Sequence, residues 1–154
     1  MSEKKVLVVD YDQNSLERMK DLFCAQNMEV VTASDGQEAY EVYTKIKPDL
    51  IVLEAMLPKL HGFDLTQKIH RETSGSVPVV IVTALYKGPQ YKNEALRTFG
   101  ASGYFEKPVN DEKLLNFVLN LLHDEIEIEE EIPLPKEVAA ILKDIEKQMR
   151  KESS

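Results

Sequence analysis

Short apolar runs alternate with amphipathic stretches along most of the chain. Val6–Val9, Val30–Ala33, Leu50–Leu53, Val77–Val82 and Gly103–Phe105 read as five strands. Pro78 lies near the start of the fourth, where proline is tolerated. The intervening spacing is helical. Leu16, Met19, Leu22 and Phe23 share one face, with Asn14 or Ser15 placed to cap it. Ala39, Val42, Tyr43 and Ile46 mark a second helix closed by Pro48. Phe63, Leu65 and Ile69 predict a third with a thinner stripe. Ala95, Leu96 and Phe99, ended by Gly100, predict a fourth, and Leu115, Val118, Leu119 and Leu122 a fifth.

Five βα units with continuously apolar strands predict a doubly wound α/β fold, a parallel sheet with helices on both faces. Such sheets place their chemistry at the carboxyl ends of the strands. Those ends read Asp10-Tyr11-Asp12, Glu54, Thr83-Ala84 and Glu106-Lys107-Pro108. Acidic, hydroxyl and ammonium groups ending separate strands have the makings of a phosphate and metal pocket.

Composition narrows the partners. With 154 residues, 43% hydrophobic and 30% charged, the chain has the mix of a soluble globular domain with a short appendage. A formal charge of −8 without a segregated basic patch argues against nucleic acid. No apolar run approaches the roughly 20 residues of a membrane span, and the start has no signal-peptide pattern. Cys24 is the single cysteine, so a reducing, cytoplasmic setting is expected. It reads as a small core or boundary residue rather than a nucleophile. His61, His70 and His123 share no ligand spacing and read as surface residues.

The strand ends also carry a resemblance. Val6-Leu7-Val8-Val9-Asp10 and Pro48-Asp49-Leu50-Ile51-Val52-Leu53 look like the first and third strands of the receiver domain of two-component response regulators. Met56-Leu57-Pro58 through Gly62, Thr83-Ala84 and Tyr104-Phe105-Glu106-Lys107-Pro108 resemble the family's later motifs, in order, across about residues 4–123. The resemblance implies strand order 2-1-3-4-5, a switch pair Thr83 and Tyr104, a lysine at Lys107 before a cis-proline, and a contact face around the fourth helix, fifth strand and fifth helix.

Two departures matter. At the acceptor position, where the family has aspartate, this chain has Glu54, and the acid after the first strand, Asp10, is followed by Tyr11 instead of a second carboxylate. The chain thus resembles an atypical, or pseudo-, receiver. Mg²⁺ wants near-octahedral oxygen ligands at about 2.0–2.1 Å, and a neutral phenol is a poor one. Glutamate is longer by one C–C bond, roughly 1.5 Å, where a misplacement near 1 Å can cost on the order of 100-fold. Ordinary aspartyl phosphorylation is therefore not expected, nor is catalysis as an enzyme. No cofactor is expected; Mg²⁺ binding should be weak or absent, with Asp10 and Asp12 the residual candidates. Tyr11 is expected to fill the vacated metal pocket. Glu54 is either a solvated relic or a built-in acidic mimic paired with Lys107 and bonded by Thr83.

The function expected is a phosphorylation-independent signalling module acting by protein–protein contact, with unidentified signalling partners and a homodimer as an option. The rivals are a competent receiver catalysing its own phosphorylation and an oligomerising scaffold. Beyond the 1–123 domain, 124–135 reads as an acidic, proline-broken linker and 136–151 as an amphipathic helix. Val138, Ile141, Leu142, Ile145 and Met149 form its apolar stripe, suited to docking on the receiver, to self-association or to a partner helix.

Overall fold

The computed structural model describes residues 3–130, with side chains through residue 123. Five strands, β1 (Lys5–Val9), β2 (Glu29–Ala33), β3 (Leu50–Leu53), β4 (Val79–Thr83) and β5 (Gly103–Glu106), alternate with five helices. The helices are α1 (Gln13–Cys24), α2 (Gly36–Ile46), α3 (Gly62–Thr73), α4 (Pro89–Arg97) and α5 (Asp111–Glu130). All pairings are parallel and the order is β2-β1-β3-β4-β5, as the resemblance implies.

The apolar runs are continuous because each inner strand feeds two cores. Side chains alternate across a strand. Leu7, Val9, Ile51, Leu53 and Ile81 pack with Ala39, Tyr43, Phe63, Leu65 and Ala95 of α2, α3 and α4. Val6, Val8, Leu50, Val52, Val80 and Val82 pack instead with Leu16, Met19 and Phe23 of α1 and with Leu114, Val118 and Leu122 of α5. Burying such a side chain is worth about 1.5–3 kcal/mol, so this two-sided sheet carries most of the fold's stability.

Several local expectations change. Asp12, not Asn14 or Ser15, is the N-cap of α1: its carboxylate accepts from the Asn14 N–H. Cys24 is exposed at the end of α1, on the solvent side of the Leu16–Phe23 stripe. The helix α5 continues to Glu130, so the first part of the stretch expected as a linker is helical. The chain divides into units Met1–Leu122 and His123–Ser154, and of the second only the end of α5 is among the described residues. The Val138–Met149 stripe lies outside them. Among the described residues, no helix is long and apolar enough to cross a membrane.

Candidate functional site

The site is assembled where β1, β3, β4 and β5 end. Two glycines bring the β3–α3 loop close to it. A Cβ on Gly62 would lie 2.6 Å from the Glu54 carbonyl oxygen, and one on Gly36 would lie 1.9 Å from that of Leu60. Both clashes are with backbone, so glycine is needed for the loop to pass so near. The loop is then held by Gly62 N–H donating to Ala55 O at 2.7 Å and Gly36 N–H donating to Pro58 O at 3.0 Å.

Lys107 stands at the centre. Its ammonium donates to Asp10 Oδ2 at 2.7 Å and lies 3.4 Å from Glu54 Oε1. The peptide bond that follows it, to Pro108, is cis. Burial raises the Asp10 carboxyl above its usual range, and the Lys107 and Asp12 N–H bonds only partly oppose this. Burial works against the charged Lys107, but the Asp10 bond and the two carboxylate charges outweigh it and leave its pKa raised. The ammonium is thus held charged between two acids.

Glu54 is 1% exposed and its carboxylate is fully engaged. Oε1 accepts from the Ala84 N–H at 3.1 Å and Oε2 from the Met56 N–H at 3.2 Å. Two backbone amides and an ammonium converging from three loops form an anion-binding cradle. The protein's own carboxylate occupies it. That geometry does not fit a solvated Glu54.

Other expected site residues are placed differently. Tyr11 is 50% exposed; with Met56, Leu57, Pro58 and Leu85 it lines a surface pocket of about 390 Å³. It does not fill a metal pocket, because Asp10 and Glu54 already close on Lys107 and leave the ring outside. Asp12 turns its carboxylate to α1, accepting from Asn14 N–H at 3.2 Å and Ser15 Oγ at 3.1 Å. Among the described residues, no group of three or more His, Cys, Asp or Glu side chains is arranged to hold a metal ion.

Thr83 is fully buried, but its Oγ1 serves its own loop, accepting from Leu85 N–H at 3.3 Å and Tyr86 N–H at 3.4 Å. The expected bond to Glu54 is replaced by that of the next residue, Ala84, whose amide points at the carboxylate. Tyr104 is buried and turned inward, its hydroxyl donating to the Tyr86 carbonyl. Burial, with the Glu106 and Glu54 charges behind it, pushes that phenol up to about 12.

Tyr86 and His61 escaped sequence reasoning. Tyr86 takes part in two of these contacts from the β4–α4 loop, and its ring packs on Phe63 and Tyr91. His61 is the N-cap of α3 rather than a free surface residue. Its position directly before Gly62 and a helical stripe was the available signal.

A five-stranded parallel sheet with acids and a lysine gathered at its carboxyl edge defines a receiver-type fold. The chain belongs to the response regulator receiver domain family, whose model matches residues 6–119. It is 34% identical over 123 residues to the "Probable transcriptional regulator ycf27" of Cyanophora paradoxa, covering 79% of this chain and 49% of that one. It is 35% identical over 105 residues to the alkaline phosphatase synthesis transcriptional regulatory protein PhoP of Bacillus subtilis, covering 68% and 42%. The chain thus spans about half or less of these relatives' length. Among solved structures, it resembles a CheY-like receiver domain protein of Methanospirillum hungatei with TM-score 0.74 and 29% identity, over 83% of this chain and 99% of that one. A receiver domain protein of Clostridium thermocellum gives 0.72 and 27%, over 81% and 98%.

Proposed function

We propose that this chain is a signalling module whose receiver domain works without phosphorylation, through contacts with another signalling protein. The observation that carries the reading is Glu54, buried in a cradle of two amide N–H groups and the Lys107 ammonium. A phosphoryl group would add charge and acceptor oxygens to this region. Here the extra methylene of glutamate delivers a permanent carboxylate instead. The acid neighbours argue the same way. Asp12 is spent on a helix cap, Tyr11 faces solvent and Glu54 is bonded to two amides, so Asp10 lacks a second free acid with which to hold a divalent ion, and phosphoryl transfer loses the charge neutralisation on which it depends.

The inward Tyr104 fits an active-like arrangement, and the contact surface we propose is the face of α4, β5 and α5 around it. The partner is a signalling protein in the cytoplasm, and a second copy of the chain is the alternative. Relatives named as transcriptional regulators are more than twice as long as the matched segment, so a regulatory output would come from a partner or from further sequence.

The test is phosphorylation of the full chain by a radiolabelled acyl phosphate with Mg²⁺. No stable incorporation is expected, and partner capture should be the same with and without the donor. Acid-labile label that Glu54→Gln abolishes would overturn the reading.

A further inference from the structure

His61 joins two parts of the molecule through the two faces of one imidazole. Nδ1 accepts from the Phe63 N–H at 3.1 Å, capping α3. That bond requires an unprotonated Nδ1, so the ring proton sits on Nε2, which is 3.1 Å from the Tyr86 hydroxyl. The ring also packs against Phe63 and Tyr86, with centroids 5.1 and 5.3 Å away.

Tyr86 carries the connection onward. Its N–H donates to Thr83 Oγ1, its carbonyl accepts from the Tyr104 hydroxyl, and its phenol lies 3.8 Å from Met56 Sδ. The same loop supplies the Ala84 N–H on Glu54 and the Gly88 N–H on Glu106 Oε2. His61 is therefore tied to the segment that links Glu54 to Tyr104.

We infer that His61 is a proton-sensitive latch, holding the start of α3 against the β4–α4 loop when neutral and releasing it when protonated. A proton on Nδ1 removes the side-chain acceptor of the cap and sets two N–H groups against each other. It also puts a cation at the positive end of a helix, where cations are disfavoured. The ring must turn to escape, and turning it breaks the Nε2 contact with Tyr86.

The groups around it do not offset this. From the β4–α4 loop the facing titratable group is the Tyr86 phenol, with Lys87 next to it and exposed. On its own segment, Asp64 is exposed and Lys59 lies 3.6 Å from Asp35. Among the described residues, no carboxylate is hydrogen bonded to the ring that would hold an imidazolium in place. Histidine is the side chain whose unperturbed charge change falls between about pH 5 and pH 8, which is what suits it to such a latch. The inference holds whether or not Glu54 is a mimic.

The experiment follows the full ¹⁵N-labelled chain by NMR from about pH 8 to pH 5. Thermal unfolding of wild type and His61→Asn is measured in parallel. Asparagine caps a helix but does not titrate. At the alkaline end His61 Nδ1 should show the shift of an unprotonated nitrogen. On acidification the Phe63, Ala84 and Tyr86 amides should lose exchange protection, and wild type should lose about 4 °C in Tm relative to His61→Asn. Subtracting the variant cancels His70 and His123. A proton on Nδ1 at the alkaline end, or a Tm difference that does not change with pH, would overturn the latch. Loss of protection at Phe63 alone would overturn its coupling to the β4–α4 loop, and the wild-type spectra decide this even if the variant folds poorly.

Discussion

Glu54 lies 3.4 Å from Lys107 and is nonetheless not its shorter partner, which is Asp10 at 2.7 Å. The Glu54 carboxylate is held chiefly by the Met56 and Ala84 amides, so it belongs as much to the loops after β3 and β4 as to the ion pair. Glu54→Gln keeps the shape but replaces one acceptor with an NH₂ donor, which must face an amide N–H or the Lys107 ammonium. Leaving a buried donor unpaired costs about 1–3 kcal/mol. Urea unfolding should show that loss, and partner binding should weaken. Equal stability and equal binding would mean that neither the charge nor the acceptor matters.

Magnesium should leave the fold's stability unchanged. A ligand that binds only the native state raises stability by RT ln(1 + [L]/Kd), which appears as a higher Tm. With Asp12 capping α1 and Asp10 bonded to Lys107, millimolar Mg²⁺ should move the Tm no further than a sodium salt of equal ionic strength. A specific rise that Asp10→Asn removes would show that the acids do rearrange around a cation.

Tyr104→Phe should remove the bond to the Tyr86 carbonyl while keeping the buried ring. The expected cost is about 1 kcal/mol, with faster exchange in the β4–α4 loop. The phenol has a second signature. Its titration is pushed up to about 12 by burial and nearby carboxylates. The folded state therefore keeps this proton longer than the unfolded chain does, and stability falls as pH rises from the ordinary tyrosine range through that value. An alkaline ultraviolet titration should show a late phase in wild type that Tyr104→Phe lacks.

Asp35 caps α2, accepting from the Glu38 N–H at 2.7 Å, with Lys59 3.6 Å away. The Glu38 bond, more than the lysine, lowers its pKa. A lowered carboxyl contributes stability that is present above its ordinary value and lost as pH falls through its folded value. Asp35→Ala should cost about 1 kcal/mol near neutrality, as cap removal does. The gap to wild type should narrow in acid, as pH falls below the ordinary carboxylate range. A gap that stays constant would assign Asp35 a role other than its charge.

The order of elements and most of the site's membership were legible in the chain. Continuous apolar runs such as Leu50–Leu53 mean a strand buried on both faces, and helical stripes between them leave a parallel sheet as the way to bury both. The chemistry at the strand ends, Asp10, Glu54, Thr83 and Lys107, follows because a parallel sheet gathers those ends at one edge.

What the chain alone did not decide was which atoms meet. One residue's direction separates Tyr11, facing solvent, from the buried Asp10, and Thr83, bonding its own loop, from Ala84, whose amide reaches Glu54. Such choices involve backbone N–H groups that every residue but proline carries and loop paths set by contacts distant in sequence, such as Gly62 against Glu54. Side-chain type carries no record of them. His61 shows the same limit: the residue before a helix is visible in the chain, but its second partner, Tyr86, is brought to it only when β4 packs beside β3.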